Sequence, residues 1–439
     1  MTYNILMVAP TSFFSDYGCH VRILEEIWTL QQAGHHLTLC TYHMGNDVAG
    51  VKIERSLDVP WRKGVQVGSS RHKLYFDAAL GLKTIQIALK VKPDIIHAHL
   101  HEGALIGWMA QQALQRLGHK RPPLIFDFQG SLTSEMVDHN FLRPNGPFYR
   151  PTRKLEKIIN GMADRIVTSS YNGAEILRRD FSHTAEKVVT VADRVNASRF
   201  RPAISLPERE ACTRLKQELG IPPNHKVVVY LGLLARHQGT NVLLEAAHLL
   251  KDELPEVHFV IMGYPGVDSY RELAAYLGLE GRVVFPGRIP YEDAPRYLAI
   301  GDVAVSPKMS LTEGAGKISN YMAMGLPVVA SDVPVSHEIL GELGLYAEPG
   351  NARLLADRLK EALTNDALST RLGEELRAKA IAEMGWEGAR CQFEQIYKAE
   401  LEKQREPNQI ITPAADSAND FYEEGFSAED FFQPTRQRV

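Results

Sequence analysis

Residues 310–332 read SLTEGAGKISNYMAMGLPVVASD. A polar, glycine-rich turn at Glu313, Gly314, Ala315 and Gly316 opens a helical pattern that ends at Gly325. Beyond Pro327 the apolar run Val328, Val329 and Ala330 has the composition of a buried β-strand. A glycine turn feeding a helix leaves backbone N–H groups without intrahelical partners, and together with the helix dipole they favour an anion such as phosphate. Lys317, at the start of that helix, opposes the dipole, so a bound anion accounts for its presence. Glu313 has the opposite logic, because its charge repels phosphate. A neutral polyhydroxylated group, such as a sugar, beside the phosphate reconciles the two. The stretch therefore reads as part of an α/β layer with a phosphate and a sugar at its turn.

The same alternation extends outward in both directions. Toward the C-terminal half, strands are expected at 226–231, 258–262, 283–285 and 303–306, with helices at 241–250, 270–277 and 293–300 between them. The first 200 residues repeat the pattern, with strands expected at 5–8, 36–42, 94–97, 124–128 and 165–169 and helices at 21–33 and 76–91. Short apolar strands alternating with helices imply parallel sheets covered on both faces. The fold class is thus α/β, with two Rossmann-like, doubly wound domains facing across a cleft. We expect an N-terminal domain at 1–204 and a C-terminal domain at 205–385. A helix at 386–403 is expected to return toward the first domain, and 404–439 to form a disordered acidic–aromatic tail able to dock a protein partner. Ligands in such sheets bind at the C-terminal ends of the strands. No GxGxxG follows the first strand, so an NAD-type site is not supported.

Composition narrows the class. The chain has 439 residues, 44% hydrophobic and 23% charged, as in soluble globular proteins. No apolar run reaches the ~18 residues of a membrane span, and the N-terminus lacks the form of a secretory signal. Cys19, Cys40, Cys212 and Cys391 form no CxxC pair, which suits reduced thiols in the cytoplasm and gives no zinc motif. Residues 1–200 carry 24 Lys+Arg against 18 Asp+Glu, a mild excess suited to a phosphorylated acceptor or to the inner face of a membrane. No basic stripe interleaved with aromatics points to nucleic acid.

Taken in order, these segments resemble glycosyltransferases of the GT-B fold, family 4, the retaining group 1 type. The resemblance spans residues 4 to 397 or so. It rests on Gly18 to Val21 with Gly34 and His35, on the DIIHAH run at 94–99, and on ADRIV at 163–167. It rests further on VADRVNASRFRP at 191–202, on Tyr230 to Gly232 with Gly239, on FPGRIP at 285–290, and above all on residues 316–330. It implies transfer of a sugar from a nucleotide-sugar donor held by the second domain to a glycan or lipid-linked acceptor held by the first. Retention of configuration and no obligatory metal or cofactor are implied with it.

By that resemblance Glu313 holds the donor sugar, Gly314, Gly316 and Lys317 meet the diphosphate, and Gly18 approaches it from the first domain. His99 matches a histidine near the reacting carbon, while His97 reads as structural and His101 and Glu102 as weaker neighbours. Asp16 and Gln129 are acceptor-side candidates. Three departures stand out. Asn320 replaces a second glutamate and is expected to hold the ribose. Leu233 and Gln238 replace an arginine and a lysine that normally meet the diphosphate, so Arg236, Lys317 or Lys308 must supply that charge. If none does, the alternative is a non-catalytic GT-B-like binding or assembly protein. Alternating His97 and His99 on a strand point the same way and suit a metal, with His101 beyond. A metal-independent family argues against that reading, and no metal is expected.

Overall fold

The computed structural model describes residues 1–58, 73–139 and 141–405. Seven strands build the first sheet: β1 (Asn4–Ala9), β2 (His36–Thr41), β3 (Ile53–Arg55), β4 (Ile95–His99), β5 (Leu124–Phe128), β6 (Arg165–Thr168) and β7 (Val188–Thr190). Six build the second: β8 (Lys226–Leu231), β9 (Val257–Met262), β10 (Val283–Gly287), β11 (Val303–Ser306), β12 (Val328–Ser331) and β13 (Leu345–Ala347). Their orders are β3-β2-β1-β4-β5-β6-β7 and β10-β9-β8-β11-β12-β13, with every pairing parallel. Both orders reverse direction beside the first strand of their sheet, the place where doubly wound folds open a crevice for ligands. The strands are Val-, Ile- and Leu-rich because both of their faces are covered. Met7 and Ile95 pack toward one side of the first sheet, Leu6 and Ile96 toward the other.

At the junction between the lobes, Pro207 does not break the chain. It lies in the first turn of the helix Leu206–Glu218, where a missing N–H costs nothing. Ser205 and Glu208 form a capping box at the same end. After the second sheet, the helix Asp366–Glu383 packs under the helix Lys317–Ala323. The helix Trp386–Arg405 then lies against the first lobe. There Tyr397 OH meets His97 Nδ1 at 2.7 Å and Glu400 pairs with Arg165 at 2.6 Å. The two lobes and this helix form one unit through Leu401. One apolar cluster runs through all three parts, from Ile23 and Ile27 through Val227 and Met262 to Phe393. The tail expected at 404–439 lies outside the described residues from 406 onward.

Candidate active site

The cleft lies between the C-terminal ends of the two sheets. The first lobe lines it with the loop after β1, with Gly18 at the start of the helix Gly18–Gln32, and with Leu100 to Glu102 after β4. Gln129 and Gly130 after β5 and Asp193 complete that wall. The second lobe contributes Leu231 to Leu233 after β8, Gly263 and Tyr264 after β9, His237, Gln238, Glu313 to Lys317, and Asn320. Of the sequence-predicted residues, Gly18, Asp16, Gln129, Glu313, Gly314, Gly316, Lys317 and Asn320 all reach the cleft. Arg236 and His99 do not.

The Glu313 loop is anchored from below. Lys308 is 2% exposed, and its ammonium donates to the carbonyls of Glu313 and Gly314 and pairs with Glu313 Oε2 at 3.2 Å. Gln238 Nε2 donates to the same carboxylate at 2.9 Å. Gln238 Oε1 in turn accepts from Lys317 Nζ at 3.1 Å. Lys317 also donates to Tyr230 OH at 3.3 Å and stands 4.5 Å from the centroid of that ring. Burial alone would raise the Glu313 carboxyl, but Lys308 and His237 outweigh it and hold the group below its ordinary value. Burial, with repulsion from Lys308, pushes Lys317 down to about 7. This wall of the cleft therefore carries the fixed Glu313 carboxylate and, in Lys317, an amine poised to gain a proton when an anion arrives. The helix Lys317–Ala323 is closed off by Gly325, whose φ of 71° allows Leu326 N–H to reach Tyr321 O at 3.1 Å.

Three expectations, those for Arg236, Lys308 and His99, are corrected by this geometry. Arg236 is exposed in the short turn Arg236–Gln238 and lies off the cleft, so it brings no charge to the donor side. Lys308 sits under the loop instead of in the cleft, and its charge is committed to Glu313. Gly314 and Gly316, expected to admit a phosphate, line the cleft, and a Cβ at either would lie 3.0 Å from Asp193 Oδ2, so their missing side chains also permit close approach of the lobes. His99 is fully buried beneath the cleft floor, with Nδ1 3.1 Å from Asp127 Oδ2. The chain turns at Leu100 (φ 64°) and brings His101 and Glu102 to the wall in its place.

Asp16 is also committed. It accepts from Arg288 Nε at 2.8 Å, from Arg288 Nη2 at 2.6 Å and from the Tyr291 N–H at 2.9 Å, which clamps the first lobe to the second. Gln129 donates to Asp127 Oδ2 at 3.0 Å while still facing the cleft.

Other groups escaped the sequence reading. Glu135 faces the cleft from the helix Leu132–Asp138; burial and the nearby Glu313 and Glu102 carboxylates raise it to about 7 despite Lys73. Arg22 gathers Glu26, Asp127 and Asp193 at 3.1, 2.9 and 3.0 Å. The signal for that cluster was present: Arg22 and Glu26 are four apart among Ile23, Ile27 and Leu30, and Asp127 interrupts the apolar run LIFDF.

The profile described as "Glycosyl transferases group 1" matches residues 213–379. That described as "Glycosyl transferase 4-like domain" matches residues 17–193. In sequence the chain is 28% identical over 295 residues to the putative glycosyltransferase EpsD of Bacillus subtilis, covering 66% of this chain and 72% of that one. It is 26% identical over 320 residues to the D-inositol 3-phosphate glycosyltransferase of Corynebacterium glutamicum, covering 70% and 72%. In structure, the sucrose-phosphate synthase of Thermosynechococcus elongatus matches with a TM-score of 0.74 at 19% identity over 91% of this chain and 99% of that one. HepE of Anabaena, solved in complex with UDP and glucose, matches with a TM-score of 0.71 at 17% identity over 90% and 100%. With each lobe matched in order and the two facing parallel sheets shared, the chain belongs to the group 1 glycosyltransferases of the GT-B fold, family 4.

Proposed function

We propose that this glycosyltransferase moves a sugar from a nucleotide-sugar donor to a glycan or lipid-linked acceptor with retention of configuration, in the making of a cell-surface polysaccharide or glycolipid. The observation that carries the reading is the Lys317–Gln238–Glu313 chain facing Gly18 across the cleft. Lys317 answers the diphosphate, Glu313 the sugar hydroxyls, and Asn320, one helical turn on, the ribose. HepE of Anabaena, with the same fold, is seen with UDP and glucose. In the reaction the bond from the anomeric carbon to the phosphate oxygen breaks. The acceptor oxygen bonds to that carbon on the same face and its proton passes to the leaving phosphate, so no side chain serves as nucleophile. The transfer itself draws on no metal and no cofactor.

A mass-spectrometric screen of nucleotide sugars, read as hydrolysis or transfer and as thermal stabilisation, tests the proposal. Turnover with at least one donor, abolished by Glu313→Ala with the fold retained, supports it. The absence of both shift and turnover with every donor favours a non-catalytic binding or assembly protein. Turnover by Glu313→Ala at the wild-type rate sinks the assignment of that residue.

The surface of the first lobe favours an acceptor presented at the inner face of a membrane. Around the helix Tyr149–Met162, Phe148 is 72% exposed and Leu155 and Ile158 are each 49% exposed, among exposed Arg143, Arg150, Lys154 and Lys157. Apolar side chains ringed by cations suit the headgroup region of an anionic bilayer. Among the described residues no helix is long and apolar enough to cross a membrane.

A further inference from the structure

Beneath the cleft floor, three ligand-type side chains converge in a fully buried pocket that the proposed transfer does not use. Glu26 comes from the helix Gly18–Gln32, and His97 and His99 from β4; all three are 0% exposed. Their alternation on β4 points both imidazoles to one side of the sheet, where the rings stack at 4.8 Å. Glu26 Oε2 lies 3.8 Å from His97 Nε2 and 3.9 Å from His99 Nε2. None of these three atoms has a hydrogen-bond partner among the described residues. A buried polar atom without a partner costs on the order of 1–3 kcal/mol, so three aimed at one point call for an occupant.

The surroundings say what the occupant is. The far nitrogen of each ring is tied: His99 Nδ1 to Asp127 Oδ2 at 3.1 Å and His97 Nδ1 to Tyr397 OH at 2.7 Å. Asp127 Oδ2 accepts from Arg22 Nε at 2.9 Å and so acts as the acceptor for His99 Nδ1–H as well, which leaves the His99 Nε2 lone pair facing Glu26. A lone pair facing a carboxylate oxygen is repulsive unless a proton or a metal ion lies between them. Carboxylate–imidazole pairing of this kind is the usual support behind a metal-bound histidine. Glu26, Asp127 and Asp193 also share the guanidinium of Arg22. A point equidistant from atoms at these separations lies no closer than about 2.1–2.5 Å to each, which leaves room for a metal bond to all three.

We propose that Glu26, His97 and His99 bind a structural divalent metal ion, with zinc the best fit to two imidazoles and one carboxylate. The ion joins the helix Gly18–Gln32 to β4 and, through Tyr397, to the returning helix Trp386–Arg405. It lies outside the cleft and takes no part in transfer. Because the site is closed, the ion enters as the chain folds and leaves only when it unfolds.

The test is the metal content of the full-length protein, expressed with added zinc and purified without chelator, together with X-ray absorption at the zinc edge. About one zinc per chain is expected, in a shell of two imidazoles and oxygen with no sulfur. Glu26→Gln should lower the content roughly tenfold or more, while His139→Ala should leave it unchanged. His139 belongs to a second group, with His237 and Glu313, whose ligand atoms lie within 4.8 Å of one another at the cleft. Wild-type protein holding under ~0.1 zinc per chain overturns the proposal, as does a shell without two imidazoles. So does zinc lost in His139→Ala but kept in Glu26→Gln. The wild-type content and shell decide the matter even if Glu26→Gln fails to fold, and neither reading depends on transferase activity.

Discussion

Gln238 joins Lys317 to Glu313, accepting from the ammonium at 3.1 Å and donating to the carboxylate at 2.9 Å. The residue that breaks the family's basic pattern is thus the spacer that fixes Lys317 and Glu313 relative to one another. Gln238→Leu leaves both partners a hydrogen bond short, at a cost of roughly 1–3 kcal/mol, which corresponds to about a 5- to 150-fold loss in kcat/KM for the donor. Steady-state kinetics at varied donor concentration measure it. A variant within twofold of wild type would show the bridge to be idle.

Lys317 should make nucleotide binding depend on pH. Its ammonium is held down to about 7 from an ordinary 10.5, and a diphosphate alongside would raise it again. Above pH 7 the free protein must therefore take up a proton to bind, so affinity falls as pH rises, by up to about tenfold per unit. Calorimetry between pH 7.5 and 9, in buffers of different ionisation enthalpy, should register that uptake. Lys317→Gln should bind weakly and show no such slope. In the free protein the sign reverses for stability: the depressed folded value makes stability rise with pH from about 7 toward 10.5.

The Asp16–Arg288 clamp predicts a link between lobe closure and affinity. Asp16 has φ 55°, a conformation that asparagine also tolerates, so Asp16→Asn removes the charge without straining the backbone. We expect a larger radius of gyration by small-angle scattering and KM values roughly tenfold higher, equivalent to about 1.4 kcal/mol of lost closure. An unchanged scattering profile with unchanged KM would show the clamp to be ornamental to closure.

Binding to lipid should follow the cations and apolar side chains of the helix Tyr149–Met162. Wild-type protein is expected to sediment with anionic vesicles at low salt and to be released as salt rises. Phe148→Ser with Lys154→Glu should lose most of that binding while kcat on a soluble acceptor is kept. Equal sedimentation of wild type and double variant would remove the membrane reading.

Most of the framework was legible because buried parallel strands are written as short apolar runs. Residues 124–128, 226–231 and 303–306 are strands at the bounds read from the sequence. The edge strands Ile53–Arg55, Val188–Thr190 and Leu345–Ala347 were not legible, since three residues are too few to show a period. The helix Tyr149–Met162 was hidden by Pro151, which its first turn tolerates. At the site, residue type and loop position were enough to bring Glu313, Lys317 and Asn320 to the cleft. They did not reveal which way His99 points, because that depends on the positive φ of Leu100 just beyond it. Nor did they reveal that Asp193, far away in the chain, presses on Gly314 and Gly316. Such contacts exist only once two lobes meet, and no local pattern encodes them.

The chain passes between the lobes twice, and the two passages lie side by side: Val195 N–H donates to Met384 O at 2.9 Å, and Arg194 on one passage bonds Glu383 O on the other. Two adjacent tethers define a pivot line, as a pair of hinges does for a door. Rotation about that line remains soft while other relative motions strain both tethers together. A single swing angle then sets how closely Asp193 meets the glycine loop, whether Asp16 reaches Arg288, and how far Gly18 stands from Lys317. Opening for one substrate is therefore opening for both.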